Sequence, residues 1–180
     1  KHSLISNKNF YKFLNKNFSY IKNLKSPFIE KTIYESCKIK KLVVEKDEKE
    51  NGLRKILNFG HTFAHAFEAS LGYSKKLNHG EAVILGIYTA LKFSYKNKFL
   101  SANEYNLIKK HIQNSKLPFN IKKYFSLKDL NKILYFMTID KKNNSEKINL
   151  ILLKKIGYPI INKKYSKNNL SSFLKKELIN

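Results

Sequence analysis

This sequence lacks the features that mark secreted and membrane proteins. It has one cysteine, Cys37, in 180 residues, so no disulfide framework can form, and we expect a reducing cytoplasm. No apolar run approaches the ~18–20 residues of a membrane span and no secretory signal opens the chain, so we expect no membrane association. The first residue is lysine, not methionine, and we expect an internal piece of a longer protein.

Acidic residues and arginine are both scarce. The 36 lysines and arginines outnumber 13 acidic residues, which gives a formal net charge of +23 at pH 7. A nucleic-acid partner would explain that charge, but so would compositional drift towards lysine. The lysines are scattered without a glycine-rich or aromatic RNA-binding pattern, so we favour drift and expect no nucleic-acid partner. The sole arginine, Arg54, then indicates bidentate binding of a carboxylate or phosphate.

Several common catalytic motifs are also absent. There is no GxGxxG motif, no phosphate-binding GKS/T loop, no nucleophile elbow and no HExxH helix.

The hydrophobic fraction of 42% and the length indicate one globular domain, over 1–180, that can bury a proper core.

Hydrophobic periodicity predicts a mainly α chain with a short β-hairpin near its C-terminus. The predicted helices cover 1–5, 8–18, 28–45, 54–68, 81–96, 101–113, 127–136 and 170–178, and the hairpin strands cover 147–153 and 156–161. The helix over 81–96 is apolar almost all round, which is typical of a buried helix, and Asn78 and Glu81 have the spacing of a capping box. The apolar stripe of the helix over 28–45 is assigned to Ile29, Ile33, Cys37 and Leu42–Val44.

The stretch from Glu50 to Glu81 holds three of the five histidines and the only arginine. On a helix of about 3.6 residues per turn, one face of 54–68 is polar. This polar face carries Arg54, Asn58, His61, His65 and Glu68. The other face carries Ile56, Phe59, Phe63, Ala66 and Phe67. A solvated face in this chain would carry lysine and glutamate, so the row of directional donors indicates the wall of a site.

Metal binding is the chemistry that the histidines suggest. His61 and His65 are four residues apart, the spacing at which two imidazoles on one helix can share a metal. His79 follows after a loop as a candidate third ligand. The pattern alone therefore predicts a metal-assisted site that binds an anionic small molecule.

Four segments together form a longer pattern. The central one is Glu50-x-Gly-Leu-Arg54-x-x-Leu-Asn58-x-Gly-His61-Thr-x-x-His65-Ala, followed by Asn78-His79-Gly-Glu-Ala-Val. The others are Lys1-His-Ser-Leu-Ile, Ser36-Cys37-x-x-Lys40-x-x-Val43-Val44 and Asp140-Lys141-Lys142. The pattern closely resembles the 3-dehydroquinate synthase family, and the resemblance covers about 1–157.

The resemblance implies the mainly helical C-terminal domain of a two-domain lyase. The family's N-terminal α/β domain, which binds NAD, is not part of this sequence. The implied reaction converts 3-deoxy-D-arabino-heptulosonate 7-phosphate to 3-dehydroquinate and phosphate in the shikimate pathway of aromatic amino acid biosynthesis. The implied cofactors are Zn2+ (or Co2+) and NAD, and a homodimer is implied for the full-length enzyme. We expect the 180 residues alone to be inactive.

Residue roles follow from the same resemblance. It implies that His61 and His79 are zinc ligands, with a third, a glutamate, three residues before Lys1. It implies that His65 and Glu50 are the acid/base groups, and that Arg54 binds the substrate carboxylate. The remaining implied substrate-binding residues are Lys1, Lys40, Leu57, Asn58, Lys141 and Lys142.

Two other functions stay open at this point. One is another sugar-phosphate cyclase, of the inosose or valiolone type, whose carboxylate-free substrate would leave Arg54 without a partner. The other is a basic binding module without catalysis, which only the net charge favours.

Overall fold

The structure, a computed structural model, describes residues 1–139 and 147–179. Helices dominate these ranges: α1 His2–Ser6, α2 Lys8–Lys16, α3 Phe18–Lys22, α4 Phe28–Lys46, α5 His61–Ser70, α6 His79–Lys96, α7 Ala102–Asn114, α8 Leu130–Ile139 and α9 Lys167–Ile179. Short 3-10 helices cover Leu53–Asn58, Ile121–Lys123 and Leu127–Asp129. Strands β1 Lys147–Lys155 and β2 Tyr158–Ser166 pair as an antiparallel hairpin. The predicted mainly α fold with a C-terminal hairpin is confirmed.

Helix α6 forms the centre of the hydrophobic core. Its side chains are buried on nearly every side, as predicted, and Leu85 and Leu91 are fully enclosed. The backbone N–H of Asn78 donates to Glu81 at 2.9 Å, which confirms the capping box at its start. Helix α5 and strand β1 both pack against α6, and α8 packs on α5. None of the described helices combines the length and apolar character that crossing a bilayer would need.

The single helix predicted over 54–68 is wrong, because the chain breaks at Gly60. The 3-10 helix Leu53–Asn58 ends before Phe59, and α5 begins at His61. Gly60 has a φ of +82°, a left-handed conformation that other residues rarely adopt. A Cβ on Gly60 would lie 2.6 Å from the backbone nitrogen of Ile87 in α6. Close packing of α5 on α6 therefore requires this turn, and Arg54 does not share a helix with the histidines.

The stripe predicted for α4 is also largely wrong. Ile39 and Val43 are its buried residues, whereas Ile33 and Leu42 are 56% and 47% exposed and Cys37 is exposed as well. Helix α4 makes its main contacts with α1, α3 and the 3-10 helix Leu53–Asn58. It therefore lies at the edge of the described part of the chain, where one narrow line of side chains is covered.

Helix α9 is fastened to α6 by a buried carboxylate. The side chain of Glu177, 8% exposed, accepts hydrogen bonds from Lys92 Nζ at 2.5 Å and Lys96 Nζ at 2.7 Å. Burial alone would raise the pKa of Glu177, but the hydrogen bonds and charges of the two lysines outweigh it and lower the pKa below its usual 4.5.

We expect Glu177→Gln to lower the free energy of unfolding at pH 7 by about 1–2 kcal/mol, because glutamine lacks the negative charge that Lys92 and Lys96 bond to. The loss stays this small because Lys96 is partly exposed, so solvent screens its interaction with Glu177. The pKa of Glu177 is lower in the folded than in the unfolded state. The stability from its charge is therefore present above pH 4.5 and is lost as the pH falls through the lowered folded-state pKa. Urea unfolding of both proteins should show their difference shrinking below pH 4.5.

Glu30→Gln, on the exposed start of α4, is the control and should stay within about 0.5 kcal/mol of wild type. An equal effect of both substitutions would contradict a special role for Glu177.

Candidate active site

A cavity of about 270 Å3 opens between the start of α5, the segment before it and strand β1. Its walls are Glu50, Lys55, Asn58, His61, Thr62, His65, Asn149 and Ile151. Four of these were predicted as site residues from the sequence: Glu50, Asn58, His61 and His65. The fold therefore gathers them around one space, although they come from a loop, a 3-10 helix and α5.

Asp47 builds the loop that carries Glu50. Its carboxylate accepts hydrogen bonds from the backbone N–H groups of Arg54, Gly52 and Asn51 at 2.8–2.9 Å, and these hydrogen bonds lower the pKa of Asp47. Glu50 itself has a φ of +57°, so the loop holds it in a left-handed conformation. Asn58 Nδ2 donates to Glu50 Oε1 at 2.5 Å. This hydrogen bond holds the Glu50 carboxylate at the cavity wall.

His61 is held as a neutral imidazole. Its pKa is lowered to about 4, mainly by burial and to a smaller extent by the positive charge of Lys1. Its Nδ1 lies 3.3 Å from the carbonyl oxygen of Phe59. A carbonyl can only accept, so this contact places the proton on Nδ1 and leaves the lone pair on Nε2. His61 is thus in the state that a metal ligand requires.

His79 lies beside His61 and, like His61, has a hydrogen-bond acceptor at its Nδ1. The ring centroids of His79 and His61 are 6.3 Å apart and those of His65 and His61 are 5.5 Å apart, and the rings of each pair meet edge-on. His79 Nδ1 is 3.1 Å from both carboxylate oxygens of Glu68. An acceptor at Nδ1 again leaves Nε2 for a ligand.

The donor set of His61 and His79 fits zinc or cobalt. Imidazole nitrogens are common ligands of both ions, and an acceptor on the second ring nitrogen is the usual support of such ligands. Within 1–139 and 147–179, no group of three or more His, Cys, Asp or Glu side chains is arranged to hold a metal ion. The two imidazoles by themselves could therefore supply only part of a coordination shell.

Five of the predicted site residues do not line the cavity. They are Lys1, Lys40, Arg54, Leu57 and His79. Arg54 Nη1 donates to the carbonyl oxygen of Glu48 at 2.6 Å. Burial and the nearby charge of Lys40 lower the pKa of Lys1. The charge of Lys1 in turn lowers the pKa of His61, so Lys1 lies near both residues.

The assignments of Leu57, Lys141 and Lys142 to substrate binding stay predictions. Leu57 is partly buried and packs against the hydrophobic core. Lys141 and Lys142 lie outside the described residues.

Sequence reasoning missed four residues of the cavity wall, of which Thr62 and Asn149 are polar and uncharged. Thr62 Oγ1 donates to the backbone carbonyl of Asn149 at 3.3 Å, which ties α5 to β1. A signal existed for both: Thr62 stands inside the histidine motif, and Asn149 is the polar residue in an otherwise apolar run, Ile148–Leu153. The other two are Lys55 and Ile151.

Comparison with known sequences gives one consistent family. The family model described as 3-dehydroquinate synthase C-terminal matches residues 1–143. The chain is 60% identical over 178 residues to the 3-dehydroquinate synthase of Pelagibacter ubique, covering 99% of this chain and 48% of that protein. It is 42% identical over 159 residues to the 3-dehydroquinate synthase of Dictyoglomus thermophilum, covering 87% and 42%. The chain thus spans about half the length of the curated relatives it matches.

Comparison with solved structures gives the same fold. A 2-epi-5-epi-valiolone synthase from Streptomyces hygroscopicus, with NAD+ and Zn2+ bound, matches with a TM-score of 0.82 at 14% identity, over 98% of this chain and 48% of that one. A 2-deoxy-scyllo-inosose synthase, complexed with carbaglucose-6-phosphate, NAD+ and Co2+, matches with a TM-score of 0.63 at 22% identity, over 82% and 40%. At these identities the likeness establishes the fold alone. The family model and the sequence relatives establish more: this chain belongs to the 3-dehydroquinate synthase C-terminal family.

Proposed function

We propose that this chain is the metal- and substrate-binding part of a 3-dehydroquinate synthase. The proposed reaction converts 3-deoxy-D-arabino-heptulosonate 7-phosphate to 3-dehydroquinate and phosphate, with NAD and Zn2+ or Co2+ as cofactors. The observation that carries the proposal is the cavity that joins Glu50, Asn58, His61 and His65, with His79 beside it. A carboxylate, an amide and imidazoles around one space suit proton transfer on a polar, oxygen-rich substrate.

His61 and His79 would hold the metal through Nε2. A divalent ion bound there supplies Lewis-acid polarisation of substrate hydroxyl groups. His65 lines the cavity one helical turn from His61, and we assign it a proton-transfer role next to the phosphate. Glu50 is the second proposed acid/base group, and the hydrogen bond from Asn58 keeps its carboxylate in place.

Arg54 is the proposed partner of the substrate carboxylate. Within 1–139 and 147–179, its guanidinium donates to the backbone carbonyl of Glu48. A carboxylate is the stronger acceptor and can take two parallel hydrogen bonds from the guanidinium, so we expect substrate to replace this contact. Lys1, whose charge acts on His61, and Lys40, whose charge acts on Lys1, would add positive charge near His61.

We expect Arg54→Lys to raise KM by about 10-fold or more, with a smaller effect on kcat. Lysine keeps the charge but loses the planar fork, so at least one hydrogen bond to a charged group disappears, and ~1.4 kcal/mol corresponds to tenfold in binding. Steady-state kinetics of the full-length gene product measure both constants. Lys49→Arg, at an exposed position of the preceding loop, is the control and should leave both constants unchanged. An unchanged KM for Arg54→Lys would contradict the assignment.

The alternative function is that of another sugar-phosphate cyclase, the class to which the valiolone and inosose synthases of the same fold belong. The test is phosphate release by the full-length gene product, supplied with NAD and Zn2+, from two substrates. We expect turnover of 3-deoxy-D-arabino-heptulosonate 7-phosphate and none of glucose 6-phosphate, which has no carboxylate. The reverse result would overturn the proposed function.

The single domain over 1–180, the homodimer and the cytoplasmic location stay predictions.

A further inference from the structure

Glu68 is a carboxylate that none of the proposed roles above uses. It lies on α5, and its side chain is 12% exposed, whereas the side chain of His79 is 65% exposed. Both of its oxygens are 3.1 Å from His79 Nδ1, so the contact joins α5 to the first residue of α6. A carboxylate placed so far out of water needs a partner, and His79 is the one it meets.

We propose that Glu68 is a positioning residue of the metal site. It accepts the Nδ1–H hydrogen bond of His79, and this bond fixes both the tautomer and the direction of the ring. Nε2 then carries the lone pair and would be the atom that binds the metal. The proposal rests on the proposed function, since it assigns a second residue behind one of the two imidazole ligands.

His79 needs such support more than His61 does. Because His79 is the exposed first residue of its helix, packing does little to restrict its side chain. His61 is partly buried and has the Phe59 carbonyl at its Nδ1. Helix α5 is fixed against α6 by the close approach of Gly60 to Ile87, so Glu68 is a steady anchor for a ring on α6. Both imidazoles are thereby held by an acceptor at the same ring nitrogen.

The geometry separates this role from direct metal ligation by Glu68. The two nitrogens of an imidazole point in well-separated directions, so a carboxylate bonded at Nδ1 lies away from an ion held at Nε2. Among the described residues, Glu68 also forms no three-residue group with the histidines that is arranged to hold a metal ion.

The first experiment measures zinc affinity in the full-length gene product by competition with a chromophoric chelator. We expect Glu68→Ala to weaken zinc binding by about 10- to 100-fold, as removal of a residue behind a metal ligand typically does. Glu68→Gln keeps an oxygen that can accept from Nδ1–H, so it should recover part of the loss. Glu81→Gln is the matched control, a carboxylate in the first turn of α6 that bonds to the backbone of Asn78, and it should match wild type.

The second experiment observes His79 directly by 15N NMR of the metal-free protein. We expect the wild type to carry its proton on Nδ1 and Glu68→Ala to show a mixture of both tautomers. Wild-type zinc affinity in Glu68→Ala would overturn the role of Glu68 alone. A wild type that binds no zinc while its His79 is protonated on Nδ1 would overturn the metal site, and with it the proposed function. A third outcome would make Glu68 a metal ligand and overturn the positioning role. In that outcome Glu68→Ala loses zinc as completely as His79→Ala does, and Glu68→Gln changes the absorption spectrum of the Co2+-loaded protein.

Discussion

Gly86→Ala is expected to destabilise the fold by more than about 3 kcal/mol, enough to unfold a marginal domain. A Cβ at Gly86 would overlap the carbonyl oxygen of Gly60 and lie 2.8 Å from the backbone nitrogen of Ala64. Both obstacles are backbone atoms of the α5 start, so no side-chain rotation relieves the overlap. The helices would have to separate at the start of α5, next to His61. If His61 and His79 share a zinc ion as proposed, zinc affinity should fall together with stability.

Gly80→Ala is the matched control for this prediction. Gly80 lies in the first turn of the same helix, and a Cβ there would meet nothing within 4 Å. Alanine favours the helix over glycine, so this variant should be as stable as wild type or more stable by up to about 1 kcal/mol. Urea unfolding curves of the two variants give the comparison. Equal stability of Gly86→Ala and Gly80→Ala would show that α5 and α6 do not depend on this contact.

The same contact explains why one prediction from sequence failed. Gly60 lies inside a segment whose polar and apolar residues recur at helical spacing, and periodicity alone favours a continuous helix. The break is set by Ile87 and Gly86, which are distant in sequence. The glycine itself was the available signal, because a glycine inside a helix costs about 1 kcal/mol relative to alanine. The helical phase from His61 to Glu68 was nevertheless correct, since those residues share α5.

Some residues of the cavity wall could be predicted from neighbouring sequence, whereas others depend on how distant segments pack. Local motif spacing was enough to bring His61 and His65 to one wall, because both lie on α5, whereas Asn58 reaches the cavity from the 3-10 helix before Gly60. Asn149 could not be placed from sequence, because its position depends on how the hairpin packs against α6. Glu68 was visible on the polar face of the predicted helix, but its partner, His79, is reached only after the Gly72 turn reverses the chain.

The apolar stripe of α4 failed for a related reason. Periodicity shows that a helix has an apolar face but does not say which part of it a neighbour covers. In the described ranges α1 and the 3-10 helix Leu53–Asn58 contact α4, and Ile39 and Val43 are its buried positions. The exposed Ile33 and Leu42 follow from that restricted contact.

The largest expected catalytic effects separate His61 from His65. Both line the cavity from α5, four residues apart, so their position alone does not rank them as ligand or acid/base group. The surroundings of His61 favour the ligand role, because burial keeps it neutral and the Phe59 carbonyl leaves Nε2 as its donor atom. We expect His61→Ala to remove bound zinc from the full-length gene product, together with the catalysis that depends on it.

His65→Ala should leave zinc content near the wild-type value and lower kcat by ~10²–10⁴-fold, the usual contribution of a general acid–base residue. The two measurements are zinc per subunit by elemental analysis and steady-state kcat and KM. His111→Ala is the control for loss of an imidazole as such, because His111 lies on α7 and bonds to Asn15, outside the cavity wall. It should change neither zinc content nor kcat. If His65→Ala strips the metal as completely as His61→Ala does, the two histidines act as one chelating pair, and the acid/base role passes to Glu50.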